Sequence, residues 1–343
     1  MSQLAESYDV VVVGAGPCGL AAAISLGKAG FRTVVIDADC VVSSITQYPT
    51  YASFFSTAEK LSLGGLPFVF TEAKPTRRDA LAYYRAVVRY FGLSVRQYER
   101  VLTIEGRAPD FTLHTRNRSG VERAISAKAV VVATGYWGSP NLLQVPGEDL
   151  PHVTHSYREG HLAFQQSSLV VGGGNSAAEA ALDLWRAGSV VTIVHFASEF
   201  DKKIKPWILP DLMNRIAEGA IHAEWNARVT AITPEVVEIR RDNGTSASLT
   251  SEHVFLLTGF APNVDLLREA RVPIDAATGI PEHHPLTLET AVAGLFIAGV
   301  VTAGFDANKV FIENGRFHGD FIAARLLGTS PPSPPRLSRE LDT

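Results

Sequence analysis

Residues 14–19 read Gly-Ala-Gly-Pro-Cys-Gly, and they separate a β-branched run at 8–13 from an alanine-rich segment at 20–29. The first run has the composition of a strand buried in a parallel sheet, and the second predicts a helix that ends at Gly30. Residues 33–36 predict the next strand. A glycine-rich turn between the first strand and the helix of a βαβ unit is the arrangement that binds a dinucleotide.

Each glycine of this first loop has a separate task. Gly14 allows the tight turn, Gly16 lets a pyrophosphate approach the backbone, and Gly19 lets the helix pack on the strand. Pro17 belongs to the same binding loop, and the amides of the helix N-terminus that follows the loop face the phosphates. The spacing therefore predicts a nucleotide-binding loop at the start of the chain.

An acidic residue completes the pattern. Asp37 follows the second predicted strand, where a carboxylate can accept hydrogen bonds from both ribose hydroxyls of the nucleotide. Asp39 lies close behind it and is the alternative candidate. A strand, a loop, a helix and an acid in this order favour nucleotide binding over a purely structural glycine turn.

The same pattern recurs in the second half of the chain. A predicted strand at 168–171 precedes the sequence Gly-Gly-Gly-Asn-Ser-Ala, a helix is predicted at 177–187, and a strand at 190–194. This second loop has the form G-x-G-x-x-A and predicts a second dinucleotide site. Its candidate binding residues are Gly172, Gly174, Asn175, Ser176 and Ala177.

No acidic residue ends the second strand of this unit, where His195 stands instead. Without a carboxylate, a 2′-phosphate meets no repulsion, and the nearby Lys202, Lys203 and Lys205 can attract it. The pattern favours NADPH over NADH, with His195, Lys203 and Lys205 among the candidate contacts. The alternative is that the lysines form an ordinary exposed turn.

The predicted fold class is α/β, with two Rossmann-like dinucleotide-binding domains, the second inserted into the first. Further strand runs at 129–133, 254–258 and 294–299 support that division. We expect the first domain at 1–150 and 272–328, the second at 151–271, and a flexible Pro- and Ser-rich tail at 329–343.

Composition excludes several classes of protein. A net charge of -4 without a basic cluster argues against nucleic acid as a partner. Two cysteines are too few for a disulfide framework or a metal site, which fits a reducing cytoplasm. The uncharged stretch 10–27 is interrupted by glycines and follows no positive charge, so we expect neither a membrane span nor a signal peptide.

With both loops placed, the chain resembles the low-molecular-weight thioredoxin-reductase-like flavoproteins, and within them the bacillithiol disulfide reductases. The narrower resemblance rests on SSITQYPTYASFF at 43–55, IKPWILP at 204–210 and IENGRFHG at 312–319. It implies FAD on the first loop, NADPH on the second, a small-molecule disulfide as substrate and a homodimer. The FAD contacts implied are Gly14, Gly16, Gly19, Asp37, Ser44, Thr134, Gly135 and Gly299, with Lys309 and Val310 near the flavin.

The chain departs from that group in two places. No cysteine follows Cys40, so the C-x-x-C dithiol of thioredoxin reductases is absent from the sequence. Phe196 and Ala197 stand where the resemblance leads us to expect arginines. The resemblance implies Cys18 as the catalytic thiol, and its place at a helix N-terminus favours a thiolate and would lower its pKa. A phosphate beside it would oppose that, and cysteine also packs as a small apolar residue.

The leading hypothesis is an NADPH-dependent flavin disulfide reductase in which Cys18 attacks the disulfide. The missing dithiol leaves a ferredoxin or flavodoxin reductase as an alternative. A non-catalytic sensor that holds flavin or nucleotide is the alternative from another class.

Overall fold

The computed structural model describes residues 6–72, 74–202, 204–306 and 309–333. Within them the chain forms fifteen strands and nine α-helices. The strands are β1 (Glu6–Val13), β2 (Thr33–Ile36), β3 (Val95–Arg96), β4 (Glu99–Arg107), β5 (Asp110–Asn117), β6 (Glu122–Val132), β7 (Val153–Thr154), β8 (Ser167–Val171), β9 (Val190–Val194), β10 (Ile221–Glu224), β11 (Ala227–Ile232), β12 (Val236–Arg241), β13 (Ser246–Thr250), β14 (His253–Leu256) and β15 (Leu295–Ile297). The helices are α1 (Pro17–Lys28), α2 (Ser43–Thr46), α3 (Ala58–Leu61), α4 (Arg77–Tyr90), α5 (Asn175–Arg186), α6 (Leu209–Ala217), α7 (Asp265–Glu269), α8 (Ile312–Gly315) and α9 (His318–Leu327).

The chain divides into two compact units. The first comprises Met1–Thr46, Ser53–Ser139 and Ala261–Thr343, and the second Gln47–Ala52 and Pro140–Phe260. The boundaries between the two units, after 139 and after 260, therefore lie earlier in the chain than the predicted boundaries after 150 and 271. The two connecting segments pair with each other there, since the Asn141 amide donates to the Gly259 carbonyl at 3.0 Å.

The first unit is built on a seven-stranded sheet among the described residues, in the order β3-β2-β1-β6-β5-β4, with β15 also paired to β6. The strand β6 takes part in both antiparallel and parallel pairing. Residues 122–127 pair antiparallel with β5, residues 125–132 pair parallel with β1, and residues 130–132 pair parallel with β15. The parallel part matches the predicted strands at 8–13, 33–36, 129–133 and 294–299, whereas the antiparallel hairpin was not predicted.

The second unit repeats the parallel pattern. Five strands in the order β10-β9-β8-β14-β7 all run parallel, and β11, β12 and β13 form a separate antiparallel sheet. The predicted strand at 190–194 matches β9, and the prediction at 168–171 falls one residue short of β8. The predicted α/β fold class with two dinucleotide-binding domains is confirmed.

Both nucleotide-site helices start earlier than the sequence indicated. The helix α1 begins at Pro17 and α5 at Asn175, in place of the predicted 20 and 177. Proline suits the first helical turn because its missing amide proton has no partner there in any helix. Each loop therefore leads directly into its helix, which places the first-turn amides at the loop's open side.

The loop of the first unit sits on a buried core. The strands β1, β2, β6 and β15 contribute buried valines, leucines and isoleucines to one cluster. On the other side α1 packs against α9, where a Cβ on Gly319 would lie 2.5 Å from the Ala22 Cα. Ser25 also donates to Asp320 at 2.6 Å. This packing fixes α1, and with it the orientation of the first loop.

Three other predictions concern regions around this fold. Gly328 ends α9 in the left-handed conformation, and the predicted tail lies outside the described residues from 334 onward. None of the helices in the described part of the chain is long and apolar enough to cross a membrane. Among the same residues, no group of His, Cys, Asp and Glu side chains is arranged to hold a metal ion.

Candidate functional site

The first loop is packed tightly on one side. Gly14 has φ +110°, and a Cβ there would overlap the Ala133 carbonyl. A Cβ on Gly19 would overlap the Gly14 carbonyl. These two glycines are therefore required by the turn and by the approach of helix to strand, as the sequence pattern predicts.

The other side of the loop is open. A Cβ on Gly16 would meet nothing within 4 Å, and Gly16 is the N-cap of α1. No side chain of the described residues caps this helix, and its first turn carries no acidic residue. The first amides of a helix need an acceptor, and the pyrophosphate of a dinucleotide supplies one. The loop therefore fits the FAD that the sequence predicts.

Asp37 is held by the backbone of the loop itself. Its carboxylate accepts hydrogen bonds from the Ala15 amide at 2.6 Å and the Asp39 amide at 2.8 Å. Burial raises the pKa of Asp37, and the two backbone hydrogen bonds oppose that rise. Asp39 instead accepts from its neighbour Cys40 at 2.8 Å. The geometry favours Asp37 over Asp39 as the carboxylate that would meet a ribose.

The structure brings several predicted residues to this loop. The Val42 amide donates to the Ala15 carbonyl at 3.0 Å, which places the short helix α2, with Ser44, next to the loop. Thr134 follows Ala133, the residue under Gly14, and its amide lies 3.1 Å from the position a Gly14 Cβ would take. Gly135 has φ +70°. Their contacts with a cofactor remain predictions.

Cys18 packs against Gly299 and Gly315. Its Sγ would lie 3.1 Å from a Cβ on Gly299 and 2.7 Å from one on Gly315, so a side chain at either position would crowd the thiol. Burial, together with the negative charge of Glu313, raises the pKa of the Cys18 thiol to about 12. The predicted lowering of this pKa is wrong, because desolvation and a carboxylate outweigh the helix N-terminus. Glu313 accepts a hydrogen bond from Ser56.

Gly299 is anchored by a residue that the sequence did not single out. The Gly299 amide donates to Nδ1 of His318 at 3.1 Å. Burial is the main reason that the pKa of His318 falls to about 4, so the imidazole is neutral and Nδ1 accepts. His318 lies within the stretch 312–319 that carries the family resemblance, but nothing in that stretch predicts its hydrogen bond with Gly299.

The side chains of Lys309 and Val310 have different neighbours. The Lys309 ammonium lies 3.7 Å from the Asp306 carboxylate. Val310 lies beside Gly315, where its Cγ1 would be 3.3 Å from an added Cβ. Val310 thus shares the surroundings of Cys18, whereas the predicted flavin contacts of both residues stay predictions.

The second loop repeats the first in its geometry. Gly172 has φ +145°, and a Cβ there would lie 3.2 Å from the Ala177 Cβ. A Cβ on Gly174 would meet nothing within 4 Å, and no described side chain caps α5, which starts at Asn175. Ser176, in the first turn, is exposed. This loop fits the pyrophosphate of a second dinucleotide for the same reasons as the first.

His195 lies beneath the second loop. A Cβ on Gly173 would overlap its ring, which also packs near Phe200 and Trp225 at centroid distances of 6.0 and 6.2 Å. Its side chain is buried, and its Nδ1 has no hydrogen-bond partner within the described residues. Burial lowers the pKa of His195. The ring supports the loop from below, and the cofactor contact predicted for it stays a prediction.

The predicted lysines are not equivalent. The Lys205 ammonium pairs with Glu179 at 2.6 Å, and the Lys205 amide donates to Oδ1 of Asn175 at 2.9 Å. Lys202 lies 4.0 Å from Glu199, and Lys203 falls outside the described residues. Because Glu179 holds its ammonium, Lys205 stabilises the start of α5 and is poorly placed as a separate charge for a phosphate.

Comparisons with known proteins agree with this geometry. A family model described as pyridine nucleotide-disulphide oxidoreductase matches residues 11–299. Bacilliredoxin reductase Bdr of Bacillus subtilis (strain 168) is 41% identical over 320 residues, which cover 92% of this chain and 96% of that protein. A ferredoxin–NADP reductase of Ignicoccus hospitalis is 25% identical over 334 residues, covering 94% of this chain and 98% of that one.

Solved structures of reductases are also similar to this chain. Bacillithiol disulfide reductase Bdr from Bacillus cereus is similar with a TM-score of 0.91 at 41% identity, covering 94% of this chain and 99% of that one. The T. acidophilum thioredoxin reductase is similar with a TM-score of 0.72 at 22% identity, covering 94% and 98%. The second likeness concerns the fold alone.

Proposed function

The chain belongs to the pyridine nucleotide-disulphide oxidoreductase family, and we propose that it uses FAD and NADPH to reduce bacillithiol disulfide. The observation that carries the proposal is the pair of loops whose central glycines, Gly16 and Gly174, open onto free space before uncapped helices. The similarity to the bacillithiol disulfide reductase Bdr from Bacillus cereus, which covers 94% of this chain, supports the choice of substrate. In such a role the enzyme would maintain thiol redox homeostasis.

The overall reaction converts NADPH, a proton and one disulfide into NADP⁺ and two thiols. FAD and NADPH, when bound, would supply the hydride and electron transfers. The residues of the chain hold and orient them. Gly14 and Gly172 shape the turns, the first amides of α1 and α5 would bind the pyrophosphates, and Asp37 would hold a ribose.

Cys18 is the proposed thiol of the reaction. Its Sγ would attack one sulfur of the substrate, forming a mixed disulfide and releasing one thiolate, and a two-electron reduction would then release the second. With a pKa of about 12, the thiol is protonated at neutral pH. The proton must therefore pass to the leaving thiolate as the S–S bond forms, because the negative charge of Glu313 disfavours a free Cys18 thiolate.

A direct test compares NADPH consumption by the wild type, by Cys18→Ala and by Cys40→Ala, each with bacillithiol disulfide. We expect Cys18→Ala to lose about 100-fold or more in turnover, because a covalent step is removed. Cys40→Ala serves as the matched control and should keep full activity. Full turnover by Cys18→Ala would remove the thiol from the mechanism while leaving the reductase intact.

A second candidate is a reductase of ferredoxin or flavodoxin. Two observations favour it: the raised pKa of Cys18 and the 25% identity to a ferredoxin–NADP reductase over 334 residues. NADPH-dependent reduction of a flavodoxin at equal rates in the wild type and in Cys18→Ala, with no activity on bacillithiol disulfide, would establish it.

We further propose that the enzyme is a homodimer in the cytoplasm. The family resemblance supports the dimer, and the low cysteine content supports a reducing compartment. Sedimentation of the FAD-loaded protein tests the proposed dimer, since a monomeric mass at micromolar concentration would exclude a stable one. Cell fractionation tests the proposed cytoplasmic location.

A further inference from the structure

The residues that follow β9 differ from those expected after the second strand of a dinucleotide-binding unit. In a dinucleotide-binding unit, the residue after the second strand contacts the ribose 2′-hydroxyl, and an arginine nearby can take a 2′-phosphate instead. Here that position holds His195, which is buried beneath Gly173, followed by Phe196, whose exposed fraction is 56%. Neither side chain carries a permanent positive charge for a phosphate.

A cation reaches this position from a different strand. The Ala227 amide donates to the His195 carbonyl at 3.0 Å, and the Asn226 amide donates to the Ala197 carbonyl at 3.2 Å. These two hydrogen bonds hold the start of β11 alongside the end of β9. The next residue, Arg228, lies with its guanidinium 5.0 Å from the centre of the Phe196 ring. Stacking on an aromatic face holds the guanidinium in place while leaving its edge free to donate.

A second arginine stands next to the first. Arg228 and Arg240 are directly opposite each other in the antiparallel pair of β11 and β12, so their side chains share one face. Like charges in that arrangement destabilise a sheet. Neither forms an ion pair with a carboxylate in the part of the chain that the structure describes, whereas the adjacent Arg241 pairs with Glu224 at 2.8 Å. Two neighbouring guanidinium groups without a carboxylate are a suitable site for an anion.

We propose that Arg228, stacked on Phe196 and assisted by Arg240, binds the 2′-phosphate of NADPH and thereby sets the preference for NADPH over NADH. A planar guanidinium binds a phosphate through two parallel hydrogen bonds, which a paired lysine such as Lys205 cannot provide. The inference rests on the proposed function, because it assigns the NADPH site to the second loop. It differs from the sequence prediction, which gave this role to the lysines.

The test measures binding of adenosine 2′,5′-bisphosphate and of 5′-AMP to the FAD-loaded, full-length enzyme by calorimetry. The two ligands differ by the 2′-phosphate alone. The variants are Arg228→Gln, Arg228→Lys, Arg240→Gln and Lys202→Gln. Arg123→Gln, an exposed arginine of β6 in the first unit, is the matched control. Retention of FAD and the circular dichroism spectrum verify that each variant is folded.

The wild type should bind the bisphosphate more tightly than 5′-AMP. Arg228→Gln should weaken bisphosphate binding about 10- to 100-fold and leave 5′-AMP within about threefold, because only the charged hydrogen bonds are lost. Arg228→Lys should recover part of the loss, Arg240→Gln should cost about three- to tenfold, and Lys202→Gln and Arg123→Gln should cost little.

Other outcomes separate the inference from the proposed function. Equal binding of both ligands by the wild type overturns the inference but leaves a reductase that uses NADH. Loss of discrimination in Lys202→Gln and its retention in Arg228→Gln returns the role to the lysines. Failure of the wild type to bind NADP⁺, NAD⁺ and both adenosine phosphates overturns the inference and the proposed function together.

Discussion

Replacing Gly315 with alanine tests the packing around Cys18. The added Cβ would lie 2.7 Å from the Cys18 Sγ and 3.3 Å from both the Gly299 Cα and the Val310 Cγ1. Overpacking of this kind costs about 1–3 kcal/mol of unfolding free energy. Because Gly315 has no positive φ and lies in α8, alanine regains about 0.5–1 kcal/mol of chain entropy. The net loss should be up to about 2.5 kcal/mol, or a fall of up to roughly 10 °C in Tm.

Thermal unfolding of the FAD-loaded protein, followed by circular dichroism, provides the measurement. Cys18→Ala removes the Sγ, after which an alanine at 315 meets only contacts of 3.3 Å. In that background the same substitution should cost less than about 0.5 kcal/mol. Gly27→Ala is the control, since a Cβ in that turn of α1 meets nothing within 4 Å and should be neutral or stabilising. An equal loss of Tm with and without the Cys18 Sγ would refute the proposed contact.

Three further predictions concern charge and pH. Since the pKa of Cys18 is raised to about 12, about one thiol in 10⁵ is ionised at pH 7. The rate of its alkylation by iodoacetamide should climb about tenfold per pH unit up to pH 11, and a plateau below pH 9 would contradict the burial. The pKa of His318 is lowered from 6.5 to about 4, so its hydrogen bond with Gly299 stabilises the fold above pH 6.5 and is lost as the pH falls through 4. Wild type should therefore lose more stability than His318→Gln between those pH values, and parallel curves would show that the imidazole does not titrate there. Lys205→Ala should weaken NADP⁺ binding by less than roughly threefold, because Glu179 already pairs with the ammonium, and a larger loss in titration calorimetry would restore Lys205 as a phosphate contact.

The sequence predicted the parallel strands well. The strands at 33–36 and 190–194 match the structure residue for residue, because short β-branched runs next to glycine turns have few alternatives. It missed the hairpin of β4 and β5 and the sheet of β11 to β13. The strands β5, β11 and β12 do alternate between more and less buried residues, but they are short, and their pairing depends on tertiary contacts.

The candidate site was predicted where it follows from local pattern, and missed where it depends on distant residues. The roles of Gly14 and Gly19 as turn and packing glycines follow from spacing. The pKa of Cys18 does not, because Glu313, far away along the chain, and burial decide its direction. Arg228 was overlooked for the same reason, since its position beside Phe196 arises from pairing between separate strands.

The most direct test of the proposed function is an anaerobic experiment in two steps with the purified, FAD-loaded protein. NADPH is added first, and bacillithiol disulfide second, while the flavin absorbance and the free thiols are measured. We predict that one equivalent of NADPH bleaches the flavin, and that the disulfide restores its colour with release of two thiols per NADPH. A flavin that NADPH cannot bleach, or a bleached flavin that the disulfide cannot reoxidise, would contradict a disulfide reductase.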